Sequence, residues 1–192
     1  MLKTFSERLN EFCRKNNLIL GERISKGRSS EVFLVFRKKE KLALKIERDL
    51  STRIDMAGKE KENLIKANKK GIAPKFFKAD LKNRIILFEF IQGTTFDKWL
   101  ESNPSKKDLK KFIELLFVQA KKLDEIGLDH GQLAGRGRNI LARLPEKVPV
   151  IIDFEKASSK RKAHNEKVLI DFLNLNPNSK IAEKVIGLLG EN

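Results

Sequence analysis

Apolar residues at Leu2, Phe5, Leu9 and Phe12 recur at helical spacing, so residues 2–16 are expected to form an amphipathic helix. From Leu18 the period changes. LILGERIS (18–25) and EVFLVFRKKEKLALKIER (31–48) alternate as strands, with a turn expected at Arg37–Lys41. Residues 53–70 are charged and carry Ile54, Met56, Leu64, Ile65 and Ala67, a pattern that predicts a surface helix stopped at Gly71. Pro74 opens a short extended piece, and RIILFEFI (84–91) reads as a buried strand.

Beyond Gln92-Gly93 the pattern turns helical. Ser105 and Asp108 suit a capping box, and LKKFIELLFVQAKKLDEI (109–126) runs to a stop at Gly127. Its apolar residues occupy more than one face, as expected of a central helix. Short β segments follow at Asn139–Arg143 and Val148–Phe154, then helices near 165–175 and 179–189, separated by Pro177. The expected class is α+β: an N-terminal helix (1–17) packed on the body, a strand-rich part (18–91) and a helix-rich part (92–192), with a cleft between the last two.

Composition narrows the functions. In 192 residues, 40% are hydrophobic, which is enough for a core and excludes a disordered polymer. No apolar run approaches the ~20 residues that cross a bilayer, and the start MLKTFSERLNEF lacks the apolar stretch of a secretory signal. The single cysteine, Cys13, excludes an internal disulfide framework and a Cys-rich zinc site. A cytoplasmic protein without membrane partners is therefore expected. The 41 Lys+Arg against 26 Asp+Glu give +15, most of it in residues 1–90, where 23 basic side chains face 12 acidic ones. Such a basic half suits RNA, a ribonucleoprotein or another polyanion, and equally a lysine-rich solvated surface.

The candidate chemistry begins at Ile24–Val32, where small residues stand between two expected strands. This reads as an ordinary hairpin turn or as a loop whose backbone approaches phosphates. It is not a Walker loop, because no Lys-Ser/Thr pair follows the glycine at a helix start. Strand alternation puts Leu42, Leu44 and Ile46 on one face and Ala43 with Lys45 on the other. Glu60, one turn before Leu64, suits a partner for Lys45 from the interior, and Glu62 is the competing candidate. Downstream, Asn139 precedes one β segment and Asp153 ends the next. These two oxygen donors suit Mg²⁺, which takes few protein ligands and keeps phosphate or water oxygens. Read alone, His130 is a structural histidine.

A small-residue loop, a strand lysine, a helix glutamate, an asparagine and an Asp-Phe dipeptide, in this order and with the hinge-like Leu87–Gly93, resemble the protein-kinase fold. The likeness spans about residues 20–156. It is nearest to the minimal atypical kinases: the RIO type, the small kinase of the tRNA-modifying KEOPS complex, and predicted archaeal Ser/Thr kinases. The resemblance implies a strand-rich N-lobe and a reduced helical C-lobe around a nucleotide cleft. It gives Ser25, Gly27 and Ser30 to the phosphate-covering loop, Val32 and Ala43 to the adenine roof, and Lys45 to the α- and β-phosphates. Glu60 becomes the lysine's partner, Glu89 and Ile91 the hinge, and Asn139 and Asp153 the Mg²⁺ ligands.

The departures shape the expected function. Gln132 stands where kinases carry the catalytic aspartate, and the interval from His130 to Asn139 is longer by two residues, with Arg136 and Arg138 in it. Phe154 is followed by Glu155 in place of glycine, and 37 residues after Glu155 leave no peptide-binding half of ordinary size. The resemblance thus implies ATP- and Mg²⁺-dependent phosphoryl transfer to protein Ser/Thr, weak or specialised, with Asp129 as a substitute carboxylate. The alternatives are a nucleotide-binding pseudokinase acting as an interaction module, and a basic RNA- or ribosome-associated ATPase.

Overall fold

The computed structural model describes residues 3–49, 55–175 and 179–190. Helix α1 (Phe5–Lys15) leads into a meander of β1 (Ile19–Lys26), β2 (Ser30–Arg37) and β3 (Glu40–Glu47). Helix α2 (Met56–Asn68) precedes β4 (Phe76–Asp80) and β5 (Ile85–Glu89), and these five strands form one antiparallel sheet in the order β1-β2-β3-β5-β4. A second sheet of three strands, β6 (Gly93–Thr95), β7 (Ile140–Arg143) and β8 (Val148–Ile151), packs with α3 (Phe96–Glu101), α4 (Lys106–Glu125), α5 (Asn165–Ile170) and α6 (Lys180–Gly190). The architecture is α+β. No helix among the described residues is long and apolar enough to cross a membrane.

Alternation on the large sheet decides what lies on each face. Phe33, Val35, Leu42, Leu44, Ile46, Ile85 and Leu87 meet Leu9, Phe12 and Cys13 of α1 in one apolar cluster, so the N-terminal helix covers this face. Thr4 caps α1 reciprocally with Glu7, a box absent from the sequence reading. The opposite face carries Ala43 and Lys45, with Val32 and Ile86 directly across from Lys45 and Phe88 across from Ala43.

The larger core is built on α4. Leu109, Phe112, Leu116, Ala120 and Leu123 are buried along it, and Phe112 stacks on Phe96 at 5.2 Å and on Trp99 at 4.6 Å. Truncating Phe112 would cost about 3–5 kcal/mol, the usual penalty for a buried aromatic. Helix α2 joins this core to the sheet through Ala57, Leu64 and Ala67 packed with Ile86.

Several boundaries differ from the sequence reading. Helix α2 starts at Met56, and Ile54 lies outside the described residues, as does Pro177. Asp55 makes no side-chain cap to α2. The carboxylate of Glu47 on β3 instead accepts the Ala57 N–H at 2.6 Å, a long-range cap that no local motif announces. At Ser105 only half of the box forms, because Asp108 receives Lys147 at 2.7 Å rather than reaching back. The segment expected as a strand to Phe154 ends at Ile151 and continues as a 3-10 turn, Phe154–Lys156. The helix near 165–175 is α only to Ile170 and π-wound over Asp171–Leu175. Strand β6 and helix α3 were not expected.

Candidate functional site

The site is organised by one ammonium. Lys45 Nζ lies 2.7 Å from Glu60 of α2, 2.7 Å from Asp153 just past β8, and 3.2 Å from Glu155 in the 3-10 turn. Three carboxylates thus converge on one ammonium. Lys45 is 9% exposed and Glu60 3%, while the Asp153 side chain opens to solvent at 31%. Glu62, the competitor for Lys45, is exposed, as its position on the outer face of α2 requires.

Burial and charge act against each other here. Desolvation pulls the Lys45 ammonium down, but the attraction of Glu60, Asp153 and Glu155 outweighs it, so its pKa is raised. Glu60 is pushed up to about 7, first by burial and then by the neighbouring carboxylates, against the pull of Lys45. Burial also opposes the charge of Asp153, yet Lys45 holds its pKa below the ordinary value. Oxygen donors of Glu60, Asp153 and Glu155 all fall within 4.8 Å of one another, a donor set suited to a hard divalent cation.

The surrounding chain fixes this geometry. Asn63, three residues past Glu60, donates from Nδ2 to the Phe154 and Ala157 carbonyls at 3.0 and 2.8 Å, tying α2 to the Asp-Phe-Glu turn. His130 is fully buried, with Nε2 2.9 Å from the Ile152 carbonyl and its ring edge-on to Phe154 at 4.8 Å. Burial lowers its pKa, so it stays neutral and structural. Asp153 sits at φ +65°, in the left-handed region, which turns the chain sharply out of β8.

The remaining sequence-predicted residues fall around this centre. Ile152 N–H donates to the Asn139 carbonyl at 2.9 Å, so Asn139 adjoins the end of β8; its side chain donates to the Gln132 carbonyl at 2.7 Å and holds the preceding loop. Gln132 is half-buried on that loop. Val32 and Ala43 share the Lys45 face. Ser25 ends exposed on β1, and Gly27–Ser29 make a tight turn in which Gly27 N–H donates to the Ser30 carbonyl at 2.8 Å. Glu89 is held by Arg143 at 2.9 Å at the end of β5, and Ile91 is buried in the link between the two sheets.

Asp129 is engaged elsewhere: Arg161 Nε donates to its carboxylate at 2.6 Å, and its backbone pairs with Ser158. Two residues that matter most were missed. Glu155 had been read only as a departure from Phe-Gly, although Asp153 and Glu155 two residues apart were the available signal. Asn63 left no signal at all, since its partners lie more than ninety positions away.

Neither a scan of protein-family models nor a search of curated proteins matches this chain.

Proposed function

We propose that this chain binds ATP with Mg²⁺ at Lys45 and transfers the γ-phosphoryl group to a protein serine or threonine hydroxyl, as a slow, atypical kinase. The observation that carries this reading is the meeting of β3, α2 and the end of β8 at one buried ammonium with three carboxylates. A single structural ion pair needs one carboxylate, whereas a cation-and-phosphate site makes use of several converging on the lysine.

In this reading Lys45 binds the α- and β-phosphates and Glu60 keeps it aimed. Asp153, with Asn139 beside it and Glu155 nearby, holds the divalent cation. When bound, that cation neutralises phosphate charge. The apolar Val32 and Ala43 cover the base, and the backbone of Glu89–Ile91 reads its edge. Ser25, Gly27 and Ser30 close over the phosphates. The acceptor oxygen attacks the γ-phosphorus, the bond to the bridging oxygen breaks, and ADP leaves. Gln132 orients the hydroxyl through its amide oxygen but retains no proton, so the proton passes to phosphate or water, at a loss of about 10²–10⁴ in rate. Asp129, held by Arg161, acts as a positioning residue for the loop.

That same engagement of Asp129, together with Gln132, favours a second reading: nucleotide binding without transfer, in a pseudokinase that serves as an interaction module. Incubation with γ-labelled ATP, Mg²⁺ and a hydroxyl-rich acidic protein separates the two. The first reading expects slow labelling that Gln132→Asp accelerates at least about tenfold and Asp153→Asn abolishes. Nucleotide binding with no labelling in either the wild type or Gln132→Asp selects the second.

A further inference from the structure

A groove of about 1040 Å³ runs between α2, the 129–135 loop and the 155–161 segment. It reaches Gln132 but is lined by neither Lys45 nor Asp153. Four lysines line it: Lys59 and Lys66 from α2, and Lys156 and Lys160 from the opposite wall. Among the described residues, Lys59, Lys156 and Lys160 make no ion pair, and Lys66 donates only to the Ser159 hydroxyl at 3.0 Å. Of the groove's carboxylates, Asp129 is engaged by Arg161, and Glu155 shares Lys45 with Glu60 and Asp153. Asp55, Glu62 and Glu155 therefore stand against the four lysines. Between the charged walls, the half-buried Ala134 and Val168 supply apolar surface. The lining offers one aromatic ring, His164, rather than the row of stacking platforms on which single-stranded nucleic acid is held.

We propose that this groove takes an extended polypeptide segment in which acidic residues alternate with aliphatic ones. Its carboxylates pair with Lys59, Lys66, Lys156 and Lys160, and its aliphatic side chains rest on Ala134 and Val168. The role of this segment as the flank of a phosphoryl acceptor rests on the phosphoryl-transfer reading, in which Gln132, one of the residues lining the groove, orients the hydroxyl. Binding itself does not rest on that reading.

The test is fluorescence anisotropy without nucleotide, at low salt, using the full chain and three labelled probes of equal length. One is a Glu/Leu peptide with a central serine, the second the same peptide with Lys for Glu, and the third single-stranded RNA. The Glu/Leu peptide is expected to bind and the Lys/Leu peptide to fail. The double change Lys59→Glu with Lys160→Glu, both at exposed positions, is expected to weaken binding about tenfold. The same charge reversal at the exposed Lys110 and Lys121 of α4 is expected to weaken it less than about twofold. The proposal is overturned if the Glu/Leu peptide does not bind, if both double variants weaken it equally, or if RNA alone binds through the groove lysines. Peptide binding without label transfer from ATP would sink the kinase reading and leave the groove standing.

Discussion

Two buried cations in this protein, Arg8 and Lys45, are satisfied in opposite ways. Arg8 reaches from α1 across the rim of the large sheet, donating to the Asn83 and Glu47 carbonyls at 2.6 and 2.7 Å and to Asp49 at 2.6 Å. It meets one carboxylate, which Arg84 also approaches at 3.5 Å. Lys45, on the other face of the same sheet, meets three. Burying charge is costly, and three carboxylates on one buried lysine cost more than a single pair such as Arg8–Asp49. The proposed cation site is the reading that accounts for the difference.

The largest expected effect breaks the pair at its functional member. Lys45→Met leaves three crowded carboxylates without their cation, and should cost about 3–5 kcal/mol at pH 8. Protonation relieves that crowding, so the folded variant binds more protons than its unfolded chain and recovers stability as pH falls to about 5.5. Urea unfolding at the two pH values reads both statements. Arg8→Met should cost less, about 2–3 kcal/mol, because two carbonyls lose a charged donor. Its loss should be the same at both pH values, since Asp49 is partly exposed and turns to water. A pH-dependent loss at Arg8, or a pH-independent one at Lys45, would erase the contrast.

Glu60 sharpens the comparison at smaller scale. Its pKa stands near 7 in the folded protein against an ordinary 4.5, so its protonated form favours folding. That contribution is complete below pH 4.5 and disappears as pH rises through 7, a loss on the order of 2–3 kcal/mol between pH 5 and 8. Glu60→Gln should flatten this slope in the same unfolding series, and an unchanged slope would place the titration elsewhere.

Much of this was readable from residue order. The alternation of Leu42, Leu44 and Ile46 against Ala43 and Lys45 gave the two faces of β3 correctly, because a strand's period is local. The spacing of Glu60 before Leu64 turned it inward for the same kind of reason. What stayed hidden depends on distant contacts. Glu47 caps α2 from another element, and Asn63 bonds the Asp-Phe-Glu turn across the molecule. Arg161 engages Asp129 from thirty-two positions away, which removed the one nearby carboxylate that the sequence offered as a base. Glu155 fell between these cases: its position was plain, but only the turn after β8 brings it onto Lys45.

The central claim is that the carboxylate cluster around Lys45 binds a divalent cation carrying ATP, and calorimetric titration of ATP in millimolar Mg²⁺ tests it most directly. One binding event is expected for the wild type. It should be lost without the metal, strongly weakened in Asp153→Asn, and stronger at pH 8 than at pH 5.5, where a proton on Glu60 competes with the cation. A wild type that takes up no ATP at millimolar nucleotide and Mg²⁺, or one whose binding ignores Asp153, would contradict it.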